Sequence, residues 1–321
     1  MNNLLIKTYS DTDDERWDEL CHKSCNGTFL HTRKYLSYHE ERFVDQSVVI
    51  EDKEGGLLGL FPAATHLDNE KIIVSHPGIT YGGIVHNGKL YGDKMIQAFE
   101  ALIDYYRTNG FDVMQYKVVP SIYHRMLSND DSYALFRLNA RRYRCDLSAT
   151  IGLWNHGKIS SRRKRSLAKA KKNGLVVQHG VQYIEPLWMV LSENLERKHQ
   201  AKPVHTITEI KELQSRFPEN IQVVVALKDN QVVAGVILFV ERMVEHAQYI
   251  ASSEQGYQYA ALDLIFMTCI EVAKNNQKRY FDFGISNEKQ GQFLNNGLYQ
   301  FKHEFGAGSV VHEFYEILLR K

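Results

Sequence analysis

Apolar and polar positions follow two rhythms along the chain, and these recur in the same order in each half. Residues 51–61 and residues 227–237 each place a cluster of turn-forming residues (Lys53-Glu54-Gly55-Gly56; Asp229-Asn230-Gln231) between two apolar runs. That pattern predicts a β-hairpin. Further on, Phe99–Tyr106 is amphipathic with a helical period and runs out at Asn109-Gly110, and the strand-like run Phe111–Tyr116 follows. In the second half the apolar positions Leu262, Ile265, Phe266, Cys269, Ile270 and Ala273 predict a helix over Ala261–Lys274. It stops at Asn275-Asn276, and Tyr280–Phe283 reads as a strand. Hairpin, helix and strand, given twice, predict an α/β fold of two related units.

The division falls at residues 1–150 and 151–308, with 309–321 as a closing strand that returns to the first unit. Arg141–Leu147 reads as the strand that ends the first unit, and Ile151-Gly152-Leu153-Trp154 as the opening of a helical stretch.

Composition narrows the function. Hydrophobic residues make up 44% of the 321 and charged residues 24%, ordinary for a folded globular chain. A net charge of +1 gives no bulk argument for nucleic-acid binding, and DNA is not an expected partner. Neither a signal peptide nor an apolar run of membrane-spanning length is read, so the expected location is cytoplasmic. Cys21, Cys25, Cys145 and Cys269 form no CxxC pair and match no His spacing, which argues against a zinc site and a disulfide framework. No metal is expected. HExxH, GxxxxGK[ST] and GxGxxG are absent, which sets metalloprotease, P-loop and dinucleotide-binding readings back.

The sharpest local feature is residues 160–174, Ser-Ser-Arg-Arg-Lys-Arg-Ser-Leu-Ala-Lys-Ala-Lys-Lys-Asn-Gly, with seven basic residues and no acidic one. It predicts a helix capped by Ser160 or Ser161 and stopped at Asn173-Gly174. Arg162, Arg165, Lys169 and Lys172 share one face, where phosphate oxygens would relieve their mutual repulsion; a solvated helix face is the plainer alternative. A second feature is the short helix Leu298–Phe305, where Lys302 is flanked by Phe301 and Phe305. A lysine among aromatic rings can be desolvated and hold an anion or a developing oxyanion, or it can simply snorkel to water. The loop Ser252–Ala260, between a strand and a helix, offers backbone N–H groups to a pyrophosphate. In the first unit the polar cluster His31, Arg33, Lys34, Tyr35 and the glycine-bearing loop His76–Gly83 with Tyr81 are candidate substrate contacts.

Taken together, His246–Ser253, Tyr259–Leu264, Tyr280–Gly284 and Gly297–Ala307 resemble the FemAB-like branch of the GNAT superfamily, and the basic helix 162–174 resembles the one that opens that family's second unit. The resemblance covers residues 155–308 well; in the first half it rests on layout and on Phe29-Leu30-His31. It implies two tandem GNAT-like units, each a mixed, mostly antiparallel sheet flanked by helices, with the acceptor bound between them. It implies an N-acyltransferase moving an acyl group from acyl-CoA to an amine of a cell-envelope or polysaccharide precursor, a small-molecule or lipid-linked sugar or amine that would bring the protein into peripheral contact with a membrane. Lys302, with Phe301, would sit at the transfer site. Asp282 and Glu304 are candidate bases, Arg162 and Arg165 candidate phosphate ligands, and His31, Lys34 and Tyr81 candidate acceptor contacts. Gln255, Gly256, Gln258 and Ala260 occupy the coenzyme A signature, with Gln258 where that signature has glycine. An aminoacyl-tRNA donor, as in a FemAB-type aminoacyltransferase acting on a peptidoglycan precursor, stays open as the alternative, although 185–217 is too short for the coiled-coil insertion that tRNA-dependent members often carry. A non-catalytic GNAT-like binding module is the other alternative.

Overall fold

The computed structural model describes residues 4–199, 203 and 205–320. It divides into two compact units, Met1–Asp146 with Glu288–Phe293 and Val311–Lys321, and Leu147–Asn287 with Leu294–Val310.

The first unit holds two sheets. Strands β1 (Leu4–Thr8), β2 (Val48–Asp52), β3 (Leu57–Phe61) and β6 (Val85–His86) form one, antiparallel throughout. The other runs β4 (Ala64–His66), β5 (Asn69–Val74), β7 (Val113–Lys117), β16 (Gly308–Leu318), with β5 and β7 parallel and the other neighbours antiparallel. A parallel pair needs a crossover, and α3 (Asp93–Thr108) supplies it. Its buried stripe of Met95, Ala98, Phe99, Leu102 and Tyr106 keeps the helical period and packs with Ile50, Ile73 and Met114. The helices α1 (Asp14–Lys23), α2 (Arg33–Leu36) and α4 (Asp130–Arg137) complete the unit.

In the second unit the strands run β8 (Arg141–Gly152, of which residues 147–152 belong here), β13 (Tyr280–Ile285), β12 (Val244–Ser252), β11 (Gln231–Val240), β10 (Ile221–Lys228), β9 (Val176–His179). All neighbours are antiparallel except β12 and β13, joined through the short helix α8 (Glu254–Gln258) and α9 (Ala261–Asn275). The β10–β11 turn is made by Asp229 and Asn230, both at positive φ, 50° and 64°, the conformation of the tight hairpin turns that asparagine and aspartate favour. One face of the sheet carries α9 and α5 (Ser161–Lys172), whose core joins Ala170, Ile265, Phe266, Phe281, Phe283 and Phe305. Against strands β10 to β12 pack α6 (Ile184–His199) and α7 (Ile207–Arg216). The short hairpin β14 (Asn287–Glu288) and β15 (Phe293–Leu294) leads into α10 (Asn296–His303).

One expected boundary moves. Ile151 and Gly152 do not open a helix: they end β8, opposite Phe281 and Tyr280, and Ile151 is fully buried. Burying that side chain in the core outweighs the local pattern, and only Leu153–Asn155 coils, as one 3₁₀ turn.

Candidate active site

The basic helix is built as its caps dictate. Ser160 accepts a hydrogen bond from Arg163 N at 3.1 Å, and Gly174 stands at φ 69° just past the last turn. Arg162 and Arg165 are exposed, whereas Arg163 is 6% exposed. Its Nη1 meets Asp263 Oδ1 of α9 at 2.8 Å, its Nε meets Glu304 Oε2 at 3.0 Å, and its guanidinium lies 4.8 Å from the Phe301 ring centroid. Arg163 therefore ties α5, α9 and α10 together. Burial pushes the Asp263 carboxyl up to about 6, with Arg163 opposing the rise. Arg163 and Asp263 are absent from the sequence candidates. The available signal was spacing: Arg163, Leu167 and Ala170 fall four and three apart, on the helix's apolar face.

Around this anchor opens a cavity of about 710 Å³. Its walls come from α5 (Arg162, Arg163, Ser166), α6 (Asn194, Leu195), β12 (Ile250, Ser252), the α8–α9 segment (Gly256, Tyr257, Ala260, Leu262, Asp263) and α10 (Asn295, Leu298, Phe301, Lys302). The structure thus brings Arg162, Gly256, Ala260, Phe301 and Lys302 to one site. Arg165, Gln255 and Gln258 are exposed and do not line it.

Lys302 is 3% exposed, and its Nζ donates to the carbonyls of Gly284 at 2.9 Å and Ile285 at 2.7 Å. Burial lowers its pKa to about 8, with Asp282 pulling the other way. A desolvated ammonium at the wall of a cavity is a strong electrostatic group, because little water screens it. Gly256 packs so closely on β11 that a Cβ there would stand 2.3 Å from Val233 O. The segment expected to be a loop is instead the single helical turn α8, and Ala260, at φ 57°, starts α9.

Asp282 is fully buried. Its Oδ1 accepts from Ser148 Oγ at 2.5 Å and Thr150 Oγ1 at 2.7 Å, and its Oδ2 lies 2.7 Å from His246 Nδ1. Glu304 is engaged with Arg163, and Arg162 approaches it at 3.8 Å. In the first unit His31 is fully buried, its ring nitrogens on Thr28 N at 3.0 Å and Gly82 O at 3.3 Å, and burial lowers its pKa to about 4. Tyr81 is buried against Tyr123, with ring centroids 4.5 Å apart. Lys34 is exposed on α2. Among the described residues no cluster of three or more His, Cys, Asp or Glu is placed to hold a metal ion.

Residues 157–303 match the family described as acetyltransferase (GNAT) domain. The second unit is a GNAT acetyltransferase domain. The whole chain is similar in fold to FemX, with a TM-score of 0.68 and 9% identity over 98% of this chain and 97% of that one. It is also similar to the C-terminal domain of a lysylphosphatidylglycerol synthetase from Agrobacterium fabrum, TM-score 0.64 and 12% identity over 96% and 92% of the two chains. A tandem GNAT protein from the clavulanic acid biosynthesis pathway gives a TM-score of 0.56 at 10% identity over 99% of both chains. No curated protein matches the chain by sequence. The fold is thus that of the FemAB-like branch, two tandem GNAT-like units, and the chain is an acyltransferase by its GNAT domain.

What the GNAT cavity can do chemically follows from its walls. Arg162 offers charge to phosphate oxygens at the rim, and Ile250, Leu262, Leu298 and Phe301 offer an apolar lining. Lys302 places a buried positive charge in the same wall.

Proposed function

We propose that the chain is an N-acyltransferase that takes an acyl group from acyl-CoA and passes it to an amine. The acceptor is a small or lipid-linked amine or amino sugar of a cell-envelope or polysaccharide precursor. The observation that carries the reading is Lys302, desolvated in the wall of a 710 Å³ cavity within the GNAT domain. In this reading the thioester carbonyl lies near Lys302 and Phe301. The acyl chain lies along Ile250, Leu262 and Leu298, and Arg162 meets coenzyme phosphates. The amine attacks the carbonyl carbon, the oxyanion is stabilised by the Lys302 ammonium, and the thiolate leaves. Positioning supplies most of the acceleration, since transfer is direct and needs no protein nucleophile. The envelope-linked acceptor class is supported by the likeness in fold to FemX and to a lysylphosphatidylglycerol synthetase domain.

A second reading keeps the site and changes the donor to an aminoacyl-tRNA. It is favoured by the exposed basic residues of α5, Arg162, Lys164, Arg165, Lys169, Lys171 and Lys172, beside the cavity. A thermal-shift titration with acetyl-CoA, longer acyl-CoAs and free coenzyme A separates the two. At a hundred times its dissociation constant a ligand adds about 2.7 kcal/mol of stability. A melting point that rises with acyl-CoA supports the first reading. No rise with any of them, together with salt-sensitive tRNA binding, transfers the case to the second.

A further inference from the structure

Strands β12 and β13 pair over only three residues, Val244–His246 with Tyr280–Asp282. His246 and Asp282 are the last pair. Beyond them β12 continues beside β11 to Ser252, and β13 turns at Gly284, φ 77°, and rejoins β8 at Ile285. The parallel ladder therefore ends at a histidine and an aspartate that face each other.

Their arrangement fixes the tautomer of the neutral ring. The buried Asp282 carboxylate takes Ser148 and Thr150 hydroxyls on one oxygen and His246 Nδ1 on the other. A carboxylate only accepts, so Nδ1 carries a proton, and in the neutral imidazole the lone pair is on Nε2. Nε2 has no hydrogen-bond partner among the described residues. The imidazole is 12% exposed, and its Cε1–Nε2 edge lies against Gly284, where an added Cβ would stand 3.3 Å from Cε1 and 3.9 Å from Nε2. The carbonyl of the same Gly284 accepts from Lys302 Nζ. A group that takes protons and a group that stabilises negative charge thus converge on one residue where the ladder ends. Glu245, the neighbouring carboxylate, is hydrogen-bonded with Asn276 and held by the charge of Lys278 rather than by this arrangement.

We infer that His246 is the general base of the transfer, held in the required tautomer by Asp282 as its positioning residue. This rests on the acyl-CoA reading. The acceptor arrives as an ammonium, and His246 Nε2 removes one proton, becoming an imidazolium paired with Asp282. The freed nitrogen lone pair forms the C–N bond while the carbonyl pair moves to oxygen. The oxyanion collapses, the C–S bond breaks, and the departing thiolate takes the second proton from nitrogen to give the thiol. His246 returns its proton to solvent. No oxidant or further reactant is needed.

The test uses the full chain and three measurements. In ¹⁵N spectra of histidine-labelled protein, His246 shows a protonated Nδ1 and a bare Nε2, and Asp282→Asn reverses or scrambles that tautomer. Diethyl pyrocarbonate modifies His246 at least tenfold faster than His31. Thiol release from acetyl-CoA with water as the nucleophile falls at least tenfold in His246→Gln, which can still donate to Asp282 and so preserves the fold. A neutral His246 ring protonated at Nε2, a His246 no more reactive than His31, or a wild-type rate no higher than that of H246Q overturns the base. Calorimetry with acetyl-CoA separates the two claims: without binding the donor reading fails, and the tautomer and the reactivity toward the pyrocarbonate alone decide the base.

Discussion

Arg163 and Asp263 form an ion pair at 2.8 Å in which each side chain is 6% exposed. It joins the first turn of the basic helix α5 to the first turn of α9. Breaking a buried pair leaves the surviving charge without compensation, so Arg163→Met is expected to cost about 3–5 kcal/mol. Replacing both, as Arg163→Met with Asp263→Leu, restores the part of that loss that comes from Asp263, while Glu304 still lacks its Arg163 partner. Urea unfolding of the two single variants and the double variant measures the coupling.

The same pair sets a pH dependence. Asp263 titrates near 6 in the folded chain against 3.8 when unperturbed. Between these values the folded state holds the extra proton, so this residue's contribution to stability rises as pH falls from above 6 towards 3.8. Asp263→Asn removes that limb. Unfolding midpoints of wild type and D263N across pH 4 to 7 check it; parallel curves would count against the raised carboxyl.

Lys302 satisfies two buried carbonyls and, in the proposed reaction, the oxyanion. Lys302→Met is expected to lower turnover about 10²–10³-fold, the usual effect of losing one oxyanion donor. Unpaired carbonyls add a stability loss of about 1–3 kcal/mol. Because the ammonium is lost above about 8, wild-type turnover should fall as pH passes through that value, and the variant's residual rate should lack that limb. Turnover of K302M near the wild-type level would remove Lys302 from the mechanism.

Gly284 is required twice over. Its φ of 77° costs a non-glycine residue about 1–2 kcal/mol, and a Cβ there meets the His246 ring at 3.3 Å. Gly284→Ala should lower stability by about that amount and displace the His246 ring resonances, while leaving those of His31 in place. An unchanged His246 spectrum would separate the glycine from the imidazole.

The elements were legible wherever local chemistry decides them. The Asp229-Asn230 turn, the Ser160 cap and Gly174 stop of α5, and the apolar stripe of α9 follow from conformational preference and period alone. Ile151-Gly152 misled because its fate depends on pairing with Phe281, far along the chain. Within the site, the neighbouring rings Phe301 and Phe305 singled Lys302 out but left open whether it is buried or reaches water, and a run of seven basic residues hides which one turns inward, as Arg163 does. His246 carried no local signal: its chemistry comes from a carboxylate 36 positions away that sheet pairing brings opposite it.

The central claim, that the cavity beside α5 holds an acyl-CoA with its thioester at Lys302, is tested most directly by calorimetry with acetyl-CoA on wild type and Ser166→Phe. Ser166 lines the cavity from α5 and is half-buried, so a phenyl ring there fills donor space. Saturable binding by wild type, weakened at least tenfold in an S166F protein that still unfolds cooperatively, is the expected result. Equal affinity in both proteins, or no binding by either, would contradict the claim.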